Sequence, residues 1–387
     1  MSLIRCTAAR VDLDALASNF RAIQEHLASE AAINRAAGAG VPRAPGIIAV
    51  VKANAYGHGA RPVARVLEGA GAAMLAVADI EEGADLREAG IRAPILVFGA
   101  LSVSDVSGVF DYRLTPTISS PAAGRALQAA AAGRGVTLGY HLKIDTGLNR
   151  LGFRHDNLRR TLPELLASAH LRLEAVHTHF GTADDPESPL FEEQRRRFEA
   201  ACLEVNDLGG GPRLRHAASS AALVRDSRVW YDFVRPGLLL YGLVPPPLHT
   251  MLALRPVMSL SSRVVAVKGV RTGEPVGYGA RFTAERPTSL AIVPAGYADG
   301  LDRRLEGRGV ALVRGRRAPI VGAVSMDMLT VDVTDIPEVN PGDEVVFLGV
   351  QGDESWQRID AREMASWIGT IPYEVLCRLG ARVQRVY

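Results

Sequence analysis

The sequence predicts an α/β chain with two parts: an N-terminal (β/α)8, TIM-like barrel and a C-terminal, mainly β domain. Three observations carry this. Up to about residue 250, short apolar runs alternate with helical patterns, which argues for a parallel sheet. Eight such runs fall within about 200 residues, the count of a closed barrel. Pro245-Pro246-Pro247 then punctuates the chain, and beyond about residue 255 the texture becomes β-rich, with turns between short strands.

In order, residues 1–11 read as a strand packing with the β domain. Residues 12–36 read as a helix, because Leu13, Leu16, Phe20, Ile23 and Leu27 recur at helical spacing and Asp12 or Asp14 can cap it. Ala36–Pro45, rich in Gly, Ala and Pro, reads as a loop. The apolar runs are Ile47–Val51, Met74–Ala78, Ile95–Phe98, Leu114–Ile118, Leu138–Ile144, Leu173–His179, Leu214–Ala217 and Phe233–Arg235. Between them lie helical patterns at Ala60–Glu68, Ile80–Glu88, Ala122–Ala132, Asn157–Ala169 and Phe191–Leu208. The barrel is expected over 12–250 and the β domain over 251–387. In the latter, Val257–Lys268 alternates, Ser289–Val293, Val310–Arg314, Ile320–Val324, Leu329–Val333 and Glu344–Leu348 read as strands, and Ala361–Gly369 reads as one short helix.

Composition narrows the function. The chain has 387 residues, 48% hydrophobic and 22% charged, with a formal net charge of +2. That is globular, and it excludes a strongly basic nucleic-acid binder and a polybasic membrane anchor. Cys6, Cys202 and Cys377 are too far apart for a disulfide framework or a CxxC metal site, so a reducing, cytoplasmic compartment is expected. The N-terminus shows no apolar signal-peptide core. The uncharged stretch Pro236–Leu254 is interrupted by Pro236, Pro245, Pro246 and Pro247, which would break a spanning helix.

Among the basic residues only Lys52, Lys143 and Lys268 are lysines; the rest are arginines. Arg does not lose its proton in a protein whereas Lys can, so a Schiff base or general base needs Lys. Lys52 ends the first barrel run, where a lysine either reaches solvent at the barrel mouth or is used. Lys143 and Asp145 share a strand face, which invites an ion pair. His177 and His179 also share a face; two histidines can ligate a metal, but no Cys or carboxylate cluster completes a site, so no metal is expected and His179 reads as a hydrogen-bonding residue at the strand end. Ser219-Ser220 follow the seventh run and Arg235-Pro236-Gly237 the eighth, the places where barrels bind phosphate. Free backbone N–H groups at Gly237 would suit anion oxygens. Neither GxxxxGK[ST] nor GxSxG occurs.

Taken together, AVVKANAYGHGA, LKIDTGLNRLGF, HTHFGTAD, HAASS, VRPGLLLYGL, GYGARF, PAGYADG, VGAVSMDM, QGDE and GTIPYEVLCRL closely resemble the alanine racemase family, over nearly the whole chain. The resemblance implies a pyridoxal 5'-phosphate (PLP) enzyme that interconverts L- and D-alanine and supplies D-alanine for peptidoglycan. It makes Lys52 the Schiff-base lysine and one catalytic base, and Tyr278 the base on the opposite face. It places Arg150 near the PLP phenolic oxygen and the substrate carboxylate, and makes Lys143 a lysine carbamylated in many members. His179 resembles the imidazole against the pyridine ring and Arg235 the arginine at its nitrogen. Tyr56, Ser219, Ser220, Gly237, Leu238 and Tyr373 are similar to the phosphate-binding set. Met326, Asp327 and Tyr297 resemble the substrate-entry and carboxylate region. In the family the tyrosine base and the Met-Asp pair come from a second subunit, which implies a homodimer with a shared active site.

The chemistry asks for such a set. Inverting an α-carbon means removing a proton from one face and returning one to the other, which two opposed bases do directly. Lysine and tyrosine both titrate near 10, so each needs a shift of about three units, or about 4 kcal/mol, to act as a base at neutral pH. An arginine at the pyridine nitrogen stays charged and disfavours a proton there, which limits side reactions. The chain departs from the family pattern at Ser219, where Asn is common, at Ser325, where Cys is frequent before Met-Asp, and in the longer segment Ala28–Pro45. The other readings are a broad-specificity or serine racemase, a PLP amino-acid decarboxylase and a non-catalytic PLP carrier. A decarboxylase of this plan carries a glutamate where Arg235 stands, and carriers lack the domain that holds Tyr278.

Overall fold

The computed structural model describes residues 5–36, 43–101, 105–212, 214–352 and 357–387. The chain divides into two compact units: Asp14–Ala55 with Ala60–Arg255, and Met1–Leu13 with Tyr56–Gly59 and Pro256–Tyr387. Strand β1 (Ala8–Val11) leads into helix α1 (Leu13–Ala36). The stripe Leu16, Phe20, Ile23 and Leu27 is buried, as its spacing requires.

The first unit is an eight-stranded parallel barrel among the described residues. Its strands are β2 (Gly46–Val50), β3 (Met74–Val77), β4 (Ile95–Val97), β5 (Thr115–Ile118) and β6 (Leu138–Asp145), then, after the two-residue β7 (Phe153–Arg154), β8 (Leu171–His177), β9 (Leu214–Ser219) and β10 (Phe233–Arg235). They pair in the order β5-β4-β3-β2-β10-β9-β8-β6, and a β5–β6 pairing closes the ring. The continuous apolar runs follow from burial on both faces. Register places Lys143 beside His177 and His177 beside His216 at one end of the ring.

Two sequence expectations need correction, and one stretch resolves further. The sixth barrel strand runs Leu171–His177, so His179 lies two residues beyond it. The helix expected over Asn157–Ala169 is two short turns, Leu158–Thr161 and Pro163–Leu166, because Pro163 starts a new helix. Val257–Lys268 is two strands, β11 (Met258–Arg263) and β12 (Ala266–Val270). Most of the loop Ala36–Pro45 and part of the QGDE motif fall outside the described residues.

The second unit continues with β13 (Pro275–Val276), β14 (Phe282–Thr283), β15 (Thr288–Val293), β16 (Val310–Val313), β17 (Arg316–Val321), β18 (Leu329–Asp332), β19 (Glu344–Gln351), β20 (Gln357–Ile359) and β21 (Gln384–Val386). The main sheet runs β12-β15-β18-β17-β16-β19-β11-β1-β21, with β20 on β19. It is antiparallel except where β1 meets β21, so strands from both chain ends lie side by side. The hairpin β13–β14 carries Tyr278 at its turn. Leu290 packs with Val276 and Val321, and Leu312 with Val346 and Ile359. Helix Ala361–Ile368 starts at Asp360, whose carboxylate accepts from the N–H groups of Arg362 and Glu363, and ends at the left-handed Gly369. A second helix, Pro372–Cys377, carries Tyr373; the sequence reading does not separate it.

One buried polar residue in the barrel unit interrupts the apolar stripe of α1. Asn19 donates to the carbonyls of Leu240 (3.0 Å) and Arg255 (2.8 Å) and accepts from Arg255 N–H (2.7 Å). Asn19→Ala is expected to lower the unfolding free energy by about 2 kcal/mol, because it leaves those buried groups unpaired. Urea denaturation checks this; an unchanged midpoint would contradict it.

Candidate active site

Lys52 follows the C-terminal end of β2, where a barrel presents reactive groups. The chain then does something costly. Ala53, Asn54, Ala55 and Tyr56 all take positive φ, between 52° and 54°, so four non-glycine residues form a left-handed turn. Such residues avoid this region because Cβ crowds the following carbonyl. Hydrogen bonds hold the turn. Glu82 accepts from Ala53 N–H (2.6 Å) and from Ala78 N–H (2.8 Å). Asn54 Oδ1 accepts from Ala60 N–H (2.7 Å), and Ala55 N–H reaches Val51 O (2.8 Å).

At the same end of the barrel lies a buried guanidinium. Arg235, at the end of β10, is 5% exposed. It donates to Thr178 O (2.8 Å) and Ala217 O (3.0 Å) and to His216 Nδ1 (2.9 Å), with His179 Nδ1 at 3.5 Å. Burial pushes it down to about 9, which leaves it cationic at neutral pH. Because Arg235 can only donate, His216 Nδ1 is an acceptor, so its Nε2 carries the proton and donates to His141 Nδ1 (2.9 Å). His177 stacks on His216, with centroids 4.6 Å apart and planes at 10°. Burial first, then neighbouring cations, pushes His141 down to about 4 and His179 to about 3. His177 and His216 also lie well below the ordinary imidazole value, so all four rings are neutral.

Lys143, on β6, is almost fully buried. Burial, then the charges of Arg150 and Arg235, pushes its amine down to about 8, against a small opposing pull from Asp145. The expected Lys143–Asp145 ion pair is absent among the described residues. Asp145 instead accepts from the N–H groups of Gly147 (2.9 Å) and Asn149 (3.1 Å), since a strand-end turn must satisfy its own donors. Arg150 is exposed in the loop that follows. Lys52 and Arg150 both lower His179 as well as Lys143, so the cations act on one region of the barrel.

The expected anion positions sit at two chain turns. Ser219 ends β9, and Ser220 opens the next helix. Gly237 and Leu238 start the 3-10 turn after β10. The Gly237 N–H is not free, as expected from sequence, but donates to Ser220 Oγ (2.9 Å), which also accepts from Leu239 N–H (3.3 Å). A buried donor takes the nearest acceptor.

In the second unit, Tyr56 is buried, and its ring lies 5.9 Å from that of Tyr373. Burial, with Tyr373 and Cys377 adding to it, raises its pKa far above the ordinary phenol value. Gly57 is left-handed (φ 82°), and a Cβ there would fall on Leu376 O, so the backbones meet directly. Tyr278 is 75% exposed, Met326 52% and Tyr297 42%, with Asp327 also exposed.

The structure therefore gathers Lys52, Lys143, His179 and Arg235 in the barrel unit, and Tyr278, Tyr297, Met326, Asp327, Tyr56 and Tyr373 in the second. Sequence reasoning missed Glu82, His141 and the part played by His216. His141 had a signal: it lies two residues before Lys143 on the same strand face. Glu82 had none, because its role depends on the turn at residue 53.

Residues 11–245 match the family profile "Alanine racemase, N-terminal domain", and 257–387 match "Alanine racemase, C-terminal domain". Barrel, site and profiles together define a two-domain amino-acid isomerase. Alanine racemase of Symbiobacterium thermophilum is 40% identical over 385 residues, covering 99% of this chain and 97% of that protein. The crystal structure of alanine racemase from D-cycloserine-producing Streptomyces lavendulae superimposes with a TM-score of 0.91 at 35% identity, over 100% of this chain and 98% of that one. That from Bartonella henselae, with covalently bound pyridoxal phosphate, gives 0.86 at 27% identity, over 99% of each. The chain belongs to the alanine racemase family.

The neutral histidines make a pH prediction. The unfolded chain binds protons near pH 6.5, whereas the folded barrel resists them until about 3–4 at His179 and His141. Their contribution is intact above about pH 6.5 and lost as pH falls toward 4. The melting temperature, measured by calorimetry at constant ionic strength, is expected to fall steadily across that window; a flat profile would contradict neutral burial.

Proposed function

We propose that this chain interconverts L- and D-alanine with PLP held at the barrel mouth, by a two-base mechanism, and so supplies D-alanine for peptidoglycan. The observation that supports it best is the cluster of cations and neutral imidazoles around Arg235, in a chain of this family. The residues suit the cofactor: a strand-end lysine, a cation that always donates, and serine and backbone groups where barrels take phosphate. The Bartonella henselae relative carries the group covalently. When bound, PLP withdraws electrons from the substrate α-carbon and so makes its proton removable.

The chain's own residues manage that proton. Lys52 anchors the cofactor and serves as base and acid on one face of the α-carbon. Tyr278 of a second copy serves on the other, and its exposed ring in this chain agrees with a role across a homodimer. Arg235, which donates and stays cationic at neutral pH, would stand at the ring nitrogen. His179, held neutral by burial, would lie against the ring. Arg150 attracts the substrate carboxylate. Ser219, Ser220, Gly237 and Leu238, with Tyr56 and Tyr373, are the phosphate residues; the Ser220–Gly237 bond is the one that an anion would replace. Lys143, pushed down to about 8, has a substantial neutral amine fraction near physiological pH, and that form takes up carbon dioxide to give a carbamate and a proton. The resulting anion would orient Arg150. Tyr297, Met326 and Asp327 line substrate entry from the second copy.

The test is α-deuteration in D2O, followed by NMR, with product chirality read separately. With PLP added, L-alanine is expected to exchange and give the D form, and L-serine, L-lysine and L-arginine to lag by at least tenfold. Comparable exchange across all four would mean a broad racemase, and no exchange despite bound PLP would overturn the reading. Tyr278→Phe is expected to lose at least a hundredfold in α-proton removal from one enantiomer and less from the other. Primary isotope effects in the two directions check this, and an unimpaired variant would remove Tyr278 from the scheme.

A further inference from the structure

The second unit holds a buried polar site that the proposed chemistry does not use. Asp299 is fully buried in the turn after Gly296. Its Oδ1 accepts from Arg5 (2.5 Å) and from Arg382 Nε (2.8 Å). Its Oδ2 accepts from Arg5 (2.8 Å), Arg382 Nη2 (3.1 Å) and Gly296 N–H (2.9 Å). Burial pushes the carboxyl up, but these hydrogen bonds more than offset it and hold it below the usual carboxylate range.

The two arginines do different work. Arg5 neutralises Asp299 with a two-point contact and, among the described residues, otherwise reaches Pro294 O (3.2 Å). Arg382 grips Asp299 and reaches outward with the same guanidinium, from Nη1 to Asp327 Oδ1 (2.7 Å) and from Nη2 to Met326 O (3.0 Å). The segments it joins already touch by backbone. Tyr297 N–H donates to Ser325 O (3.0 Å) and Ala298 N–H to Met326 O (3.2 Å). A Cβ on Gly296 would fall on the Ser325 and Met326 carbonyls, so only glycine lets them approach. Yet Met326 is 52% exposed and the Asp327 side chain 58%, so packing alone does not fix the outer segment.

We propose that Arg382, seated on the buried Asp299, is the positioning residue that sets the Met326–Asp327 segment and the Tyr297 turn for an amino-acid carboxylate. The proposal rests on the reading that these residues line substrate entry. Its electrostatics follow directly. An unpaired Asp327 would repel an incoming carboxylate, and Arg382 cancels that charge while holding the backbone beside it. A lysine would not serve, because one ammonium cannot span Asp299, Asp327 and Met326 O as a planar fork does.

The holoenzyme variants are Arg382→Gln, Arg382→Lys, Asp327→Asn and the Arg382→Gln/Asp327→Asn double. Arg382→Gln is expected to raise the KM for alanine about tenfold, about 1.4 kcal/mol, with kcat within about twofold. Arg382→Lys is expected to recover the melting temperature but not the KM. Added to Asp327→Asn, Arg382→Gln is expected to cost less than it does alone, because the two share an interaction. Hydrogen exchange across 296–300 and 325–328 should quicken in Arg382→Gln, whatever the substrate. Unchanged exchange would overturn the positioning role. Quickened exchange with an unmoved KM, or kcat and KM both restored by lysine, would overturn its link to substrate. Quickened exchange in a chain whose wild type does not racemise alanine would count against the proposed function and leave the structural role standing.

Discussion

The barrel site depends on one buried charge that has no carboxylate partner among the described residues. Arg235 is almost fully enclosed, yet two backbone carbonyls and an imidazole receive its donors. Neutral acceptors satisfy the geometry of a guanidinium without cancelling its charge. The surroundings answer to that. Burial first, and then the like charge of Arg235, holds His141, His177, His179 and His216 neutral. Lys143 is pulled the same way, to about 8. Burial and this unpaired cation act in the same direction on all five groups, and the residual positive potential favours an anion there.

The strand-end lysine Lys52 is followed at once by strained backbone. Four residues in the left-handed region just after β2 give the chain a sharp turn that an ordinary helix start would not make. Glu82 makes this tolerable by accepting from Ala53 N–H in the turn and from Ala78 N–H just after β3, which ties the two strand ends together. Strain of this kind survives only where the surroundings overdetermine it, and it is found where function sets the geometry. Rigidity here places Lys52 relative to His179, whose lowered pKa registers, after burial and other cations, the charge of Lys52.

What the sequence disclosed follows the range of each signal. Periodicity is local, so the eight barrel strands and helix α1 were legible to within a few residues, and Pro163 splits a helix by a rule that could have been applied in advance. The strand-end positions of Lys52 and Arg235 were legible because a charged residue closing an apolar run is conspicuous. Interactions that join distant segments were not. The Asp299 pairings link residue 299 to residues 5 and 382, and no pattern in a window of the sequence announces them. The Gly237–Ser220 bond is of the same kind, a donor committed to a partner 17 residues away. The Lys143–Asp145 pairing failed for a subtler reason: sharing a strand face makes an ion pair feasible, but the turn at Gly147 and Asn149 supplied N–H groups that had no other acceptor.

Arg235 and Asp299 show two opposite treatments of a buried charge, and the difference sorts their roles. Asp299 meets two guanidinium groups and a backbone N–H, so its charge is cancelled and its oxygens are filled. Such a group has nothing left to offer a ligand. It can only hold what holds it, and the arginine that reaches beyond it passes that rigidity to Met326 and Asp327. Arg235 is satisfied in geometry but not in charge, so it retains a field that an anionic ligand can lower. Filling every oxygen makes a hinge pin; leaving one charge uncancelled among neutral acceptors makes a binding site. The proposed function asks for one of each, a charge left open to an anionic ligand and a charge closed off to hold a segment, and the chain builds them in separate units from the same residue types.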